Sequence, residues 1–227
     1  MEINVNELRD KLSYLAFPIN EEQQTSLKHY LEKMVLWNQT HNLTAIIKPS
    51  EMIVKHLLDS LVVKPFIEEK IKARSKAERF AIIDIGSGAG LPGIPLAIVL
   101  PHIHFTLLDS SQKRTFFLQQ MVLDLSLENV EVVHQRVQDF SQQSLQPEAE
   151  ELGYDIAISR AFASANDFIM WSSHLLKKEG SLFAMKGKLD EEEWRAIESK
   201  WQKKSFKLAV PFLEESRHLV ELTRINS

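Results

Sequence analysis

Residues 80–93 read FAIIDIGSGAGLPG, and no other stretch limits the fold so tightly. FAIIDI is an apolar, partly β-branched run, the pattern of a strand buried in a parallel sheet. It carries an acid near its end, Asp84. Three glycines follow at alternate positions, Gly86, Gly88 and Gly90. The next segment, GIPLAIVL, reads as a helix with Pro92 near its start. A strand, a glycine turn and a helix make a ligand cradle. Glycine lets backbone approach a ligand with no Cβ in the way. The helix N-terminus offers free N–H groups and the positive end of a dipole.

The rest of the chain agrees with that unit. From residue 80 onward, strand and helix patterns alternate. Strands are expected at 80–85, 104–108, 130–134, 154–159, 181–185, 206–211 and 218–223, with helices at 92–99, 112–125, 164–176 and 190–203. This alternation predicts an α/β fold, a mostly parallel seven-stranded sheet with helices on both faces. About six residues separate the last two strands, too few for a crossover helix, so one of them is expected to be antiparallel. Residues 1–65 read as helical. Asn20-Glu21-Glu22-Gln23 has the form of a capping box. Leu27, Leu31, Met34 and Val35 form an apolar stripe behind it. Ser50 is the expected cap of a later helix carrying Ile53, Leu57, Leu58 and Leu61. The expected division is a helical extension over 1–79 and a ligand-binding domain over 80–227.

Two cofactors use such a cradle. A dinucleotide site has G-x-G-x-x-G, which Gly88–Gly93 satisfies by spacing. An S-adenosylmethionine site has an acid at the strand end and then G-x-G-x-G, which residues 84–90 satisfy. Asp84 favours the second, because a carboxylate there suits a cationic ligand and repels a pyrophosphate. Asp109 ends the second strand, 21 residues after Gly88. An acid there accepts hydrogen bonds from ribose hydroxyls, which both cofactors carry; its structural alternative is a helix cap.

Composition narrows the chemistry. The chain has no cysteine, which excludes thiolate zinc sites, disulfides and a cysteine nucleophile, and fits a cytoplasmic protein. The eight histidines show no metal spacing, so no metal is expected. No apolar run reaches the roughly 18 residues of a membrane span, and the N-terminus does not read as a signal peptide. The net charge of −4 argues against a purely electrostatic nucleic-acid binder. The charge is uneven, however. Acids cluster at 148–151 and 190–193, and bases at Lys70, Lys72, Arg74, Lys76 and Arg79. That basic run is a candidate RNA face or a solvated helix end.

Several short blocks occur in order: Asn42-Leu43-Thr44-Ala45, His56-Leu57-Leu58-Asp59-Ser60, the glycine segment, Ser159-Arg160-Ala161-Phe162-Ala163, Lys186-Gly187 and Arg217-His218-Leu219-Val220. Together they resemble the RsmG (GidB) family, the bacterial 16S rRNA guanine-N7 methyltransferases, from about residue 20 to the C-terminus. The resemblance implies a class I S-adenosylmethionine-dependent methyltransferase fold with an N-terminal helical extension. It implies a cofactor held at Gly86, Leu91, Val137, Gln138 and Arg160, beside Asp84, Gly88 and Asp109, which the glycine motif and the end of the second strand already single out. Family members often carry Glu where this chain has Gln138, so a backbone contact there, or Asp139 as substitute acid, is expected. The implied partner is 16S rRNA within the small ribosomal subunit, met by a monomer.

The residues also speak to the target atom. Attack from carbon 5 of a pyrimidine uses a cysteine nucleophile, which is lacking. Exocyclic amine methylation often uses an Asn/Asp-Pro-Pro-aromatic turn, and this chain has Ser159-Arg160-Ala161-Phe162 instead. Guanine N7 has a free lone pair, so no proton need be removed and alignment suffices. No general base is therefore expected. Arg160 and Lys186 are the positioning candidates, the first for a carboxylate or phosphate and the second for phosphate. Phe162 is a candidate for stacking on the base, and Asn42 and His56 for lining the RNA side. Each has a structural alternative: an ion pair for Arg160, a solvated strand end for Lys186, core packing for Phe162, a cap for Asn42 and a hydrogen-bonded pair with Asp59 for His56. An NAD-linked oxidoreductase and a non-catalytic rRNA-binding factor on the same fold are the rival functions.

Overall fold

The computed structural model describes residues 2–74, 79–141, 153–160, 162, 164–190, 192, 197 and 200–225. Helix α1 spans Val5–Ser13 and α2 Glu21–His41. The expected capping box opens α2: the Asn20 side chain accepts from the Gln23 N–H at 2.8 Å, and the Gln23 side chain accepts from the Asn20 N–H at 3.1 Å. Leu27, Leu31, Met34 and Val35 are buried as their spacing requires.

A composite helix follows. Short α3 (Pro49–Met52) runs into a π-helical segment, Ile53–Leu58, then α4 (Asp59–Leu61). Its cap position is Lys48, with Pro49 in the first turn; Ser50 lies inside the helix instead of capping it. Proline can start a helix here because its missing N–H would be unpaired anyway. Helix α5 spans Lys64–Lys72.

The sheet begins with β1 (Ala81–Ile85) and continues with β2 (His104–Asp109), β3 (Val130–His134), β4 (Tyr154–Ser159), β5 (Leu176–Lys186), β6 (Trp201–Leu208) and β7 (Arg217–Arg224). Between them lie α6 (Gly93–Val99), α7 (Gln112–Asp124) and α8 (Ala165–Ser172). The strand order is β3-β2-β1-β4-β5-β7-β6. Strand β7 pairs antiparallel with both β5 and β6, so it is the reversed strand. The reversal of chain direction across β1 opens a crevice at the carboxyl ends of β1, β2 and β4, where ligands bind in such sheets.

Strand alternation splits the core. Ile82, Phe105 and Leu107 face α6, α7 and the N-terminal helices, and one apolar cluster joins them to Leu27, Met34 and Leu57. Ile83, Ile85 and Ala157 face the other way, onto Phe168 and Leu175. The expected helix over 190–203 falls mostly outside the described residues, but Trp201, Gln202 and Lys203 are strand. Strand β6 therefore starts five residues before the expected position. It is an edge strand with Lys203, Lys204 and Lys207, and edge lysines block pairing with other chains. No helix among the described residues is long and apolar enough to cross a membrane.

Candidate active site

The glycine loop is built from below. Asp84 is fully buried; its Oδ2 accepts from the Gly93 N–H at 3.0 Å, and its carbonyl accepts from the Ser87 hydroxyl at 2.8 Å. The carboxylate thus holds the start of α6. It is not on the surface of the crevice, as direct contact with a cationic ligand would require. Its Oδ1 has no hydrogen-bond partner, and burial pushes its pKa up to about 7. Among the described residues no lysine or arginine reaches it as an ion pair. From above, α2 steadies the same loop: the buried Tyr30 hydroxyl donates to the Ala89 carbonyl at 2.6 Å.

Gly88 and Gly90 have different reasons to be glycine. Both have positive φ, +59° and +90°. A Cβ on Gly90 would strike Ile94 and Leu118, so that glycine serves packing. A Cβ on Gly88 would meet nothing nearer than 3.9 Å. The space over Gly88 is open, as a cradle for a ligand requires.

Beside it lies a cavity of about 270 Å³ lined by Gly86, Asp109, Ser110, Gln135, Val137 and Gln138, among others. Four expected cofactor residues, Gly86, Asp109, Val137 and Gln138, thus meet in one place. Asp109 is almost wholly buried. Its Oδ2 accepts from the Gly88 N–H at 2.9 Å and its Oδ1 from the Ser111 N–H at 2.8 Å. It therefore ties the loop to the start of α7 while facing the cavity. Leu91 does not line it; its side chain packs against the apolar core.

The expected substrate residues behave differently. Arg160 ends β4, but its guanidinium turns toward the composite helix. It pairs with Asp59 at 2.9 Å and donates to the Ser60 hydroxyl and the Lys55 carbonyl, both at 3.3 Å. Arg217 Nε donates to the other oxygen of Asp59 at 3.1 Å. One buried carboxylate thus ties together the composite helix, β4 and β7. Arg160 is ion-paired, to a buried carboxylate and not at the surface. His56 does not pair with Asp59. Its Nε2 lies 3.0 Å from the Thr44 hydroxyl, and burial together with Arg160 lowers its pKa to about 4, so it is neutral at pH 7.

Phe162 stacks on Phe168 and Trp171 at 4.9 and 5.9 Å, which commits its ring to packing. Lys186 Nζ donates to the Phe162 carbonyl at 2.7 Å. Asn42 is exposed and ends α2 in the left-handed conformation, a structural cap. Two members of the suspected basic face have buried partners. Lys70 pairs with the buried Glu221 and Arg74 with the buried Asp155, so these cations neutralise interior acids. Lys76 and the acids at 148–151 lie outside the described residues, as do Ala161 and Ala163. No group of three or more His, Asp or Glu among the described residues could hold a metal.

Sequence reading missed Tyr30 and Arg217. Both act across large separations, 59 and 158 residues, and leave no local signal. Arg217 did stand inside a quoted block, which was its only trace.

Comparison with known proteins adds the following. Residues 23–220 match the family model GidB, rRNA small subunit methyltransferase G. The chain is 42% identical over 217 residues to proteins named ribosomal RNA small subunit methyltransferase G from Shigella dysenteriae serotype 1 and Escherichia coli K12, covering 95% of this chain and 96% of each relative. Among solved structures it is similar to an O-methyltransferase from Bacillus cereus in complex with SAH. That match has a TM-score of 0.58 and 13% identity, and covers 95% of this chain and 96% of that one. It is also similar to the METTL16 methyltransferase domain, with a TM-score of 0.59 and 17% identity, covering 92% and 99%. The fold is that of the class I methyltransferases.

Proposed function

The chain belongs to the GidB family of rRNA small subunit methyltransferases, and from that premise we propose that it transfers a methyl group from S-adenosylmethionine to N7 of a guanosine in 16S rRNA. The observation that carries the reading is the open space over Gly88 beside the cavity where Gly86, Asp109, Val137 and Gln138 meet. These residues fit S-adenosylmethionine: Asp109 would take the ribose hydroxyls, and Val137 and Gln138 would flank the adenine. When bound, the cofactor supplies a methyl group on a cationic sulfur. Asp84, buried below the loop, would balance that charge through space. We read residues 80–227 as the domain that holds the cofactor and 1–79 as the helical extension that closes one side of it. The protein works in the cytoplasm, as a monomer, on rRNA of the small subunit.

The remaining work is orientation. N7 brings its own lone pair, so the enzyme needs to place the base and remove nothing from it. His56 is neutral and buried, suited to hydrogen bonding. Arg160 acts as a positioning residue, holding the composite helix that carries His56. Lys186 holds the Phe162 carbonyl, and with it the chain just after β4.

The test is single-turnover transfer of labelled methyl to small subunits lacking the modification, with the product nucleoside identified. The expected product is 7-methylguanosine, and the rate of the chemical step should be flat between about pH 6 and 9, since no base acts. A tenfold rise per pH unit, abolished by mutating one nearby carboxylate or histidine, would reveal proton abstraction and a different target atom.

A further inference from the structure

An acidic chain that acts on RNA needs a local surface for it, and Lys70 and Arg74 of the expected basic run are committed to buried acids. A second surface has the right chemistry. Tyr30 of α2 holds the glycine loop, and Trp37 lies seven residues on, roughly 10 Å along the helix. Its ring sits 5.5 Å from the buried Phe117, 5.7 Å from Phe116 and 4.8 Å from His41. Phe117 anchors the group in the core, while the Phe116 side chain is 58% exposed. An exposed phenylalanine braced by a half-buried tryptophan is a preorganised aromatic surface.

Its borders are cationic. Lys113 and Arg114 stand in the first turn of α7, which contains no acid and presents the positive end of the helix dipole. Lys113 makes no ion pair among the described residues, and Arg114, its side chain half exposed, makes one long ion pair, with Asp109 at 3.6 Å. The nearby acid Asp124 is already bound to Lys33 at 2.6 Å. The patch adjoins the cofactor cavity, since Asp109 caps the N–H of Ser111 at the start of the same helix.

We propose that Trp37, His41 and Phe116 form a stacking platform for an unpaired nucleotide of the RNA substrate, with Lys113 and Arg114 on its phosphates. The inference rests on the rRNA reading above and names a surface for that substrate. Bases of any identity stack on aromatic rings, and flanking cations track the backbone. The platform therefore supplies affinity and register, and leaves the choice of target base to the active site.

The test measures binding of a labelled single-stranded oligoribonucleotide, and of small subunits lacking the modification, to the full chain. Phe116→Ala should weaken both about tenfold, the scale of one lost stacked base, without changing the salt dependence. Lys113→Ala should instead lower the salt slope by about 0.7–0.9. RNA should quench emission more in the wild type than in Trp37→Phe. S-adenosylmethionine affinity should be unchanged in Phe116→Ala. RNA affinity equal to wild type in Phe116→Ala, with methylation intact, overturns the platform and leaves the reaction standing. The same result with a change in oligomeric state assigns the patch to a protein contact. A wild-type enzyme that methylates no rRNA overturns both readings.

Discussion

Two buried aspartates occupy opposite ends of neighbouring strands, Asp84 near the carboxyl end of β1 and Asp155 near the amino end of β4. Asp155 has everything it needs. It accepts from the Ala81 N–H at 2.7 Å and is flanked by Arg74 at 2.5 Å and Lys177 at 3.4 Å. Asp84 has one backbone N–H on its carboxylate and, among the described residues, no ion pair; Arg160 acts on it only through space, and burial, the larger effect, raises its pKa to about 7. At one end of the sheet the chain supplies its own counter-charge and the result is structure. At the other no such ion pair forms among the described residues, and on the proposed function the balancing charge is that of the bound cofactor. Burial alone does not distinguish a functional acid from a structural one; the partner list does.

The comparison breaks most visibly at the structural end. Asp155→Ala leaves Arg74 and Lys177 without their buried partner, and should cost about 3–5 kcal/mol in urea unfolding. Cofactor affinity of the folded protein should be unaffected. A loss below about 1 kcal/mol would mean that solvent already neutralises the site.

Asp109 is the intermediate case, capping two N–H groups while facing the cavity. Asp109→Ala should weaken S-adenosylmethionine by about 1.5–3 kcal/mol in calorimetry, the range for hydrogen bonds to a charged group. If the residue only caps, affinity should survive and stability should fall by about 1 kcal/mol.

The smallest effect on cofactor binding lies at Asp84 and is read through pH. Its folded pKa of about 7 stands above the ordinary 3.8, so the native state keeps a proton that the unfolded chain loses. This contribution to stability should therefore decline as pH rises from about 4 to 7, and level off above. Asp84→Asn keeps the acceptor for Gly93 and should remove that slope. A cationic ligand favours the ionised form, so S-adenosylmethionine should bind more tightly above pH 7 than below it, by about 1 kcal/mol. The uncharged sulfur of S-adenosylhomocysteine should show a weaker trend, and Asp84→Asn should erase the difference. Equal pH trends for both ligands in wild type would place Asp84 on the structural side of the comparison.

The sheet was legible because its signals are local. Strands β1 and β4 are mostly apolar runs, each carrying one aspartate, and the capping box of α2 lies within four residues. Strand β6 starts earlier than expected because Trp201, Gln202 and Lys203 continue the polar pattern of the helix expected over 190–203; lysines suit a sheet edge for a different reason. The π-helical segment was invisible, since Ile53, Leu57 and Leu58 satisfy helical spacing whether or not a turn is widened. Of the residues lining the cavity, Gly86 and Asp109 were legible from the glycine loop and the end of the second strand, while Val137 and Gln138 were named only through the family resemblance. The target side was not. The partners of Arg160 come from Lys55, Asp59 and Ser60, about 100 residues away, and no spacing rule connects them.

The hydrogen bond from Tyr30 to Ala89 joins a loop that would otherwise open by itself to a 21-residue helix. We expect the loop amides to exchange together with those of α2, as one cooperative unit, and hydrogen exchange would check it. The same helix ends at Trp37 and His41. On the proposals above, a cofactor on the loop would tighten the far turn of α2, and RNA stacked on that turn would tighten the loop. Whatever coupling free energy connects them must be equal in both directions, so the order in which the two ligands arrive is a matter of rate alone.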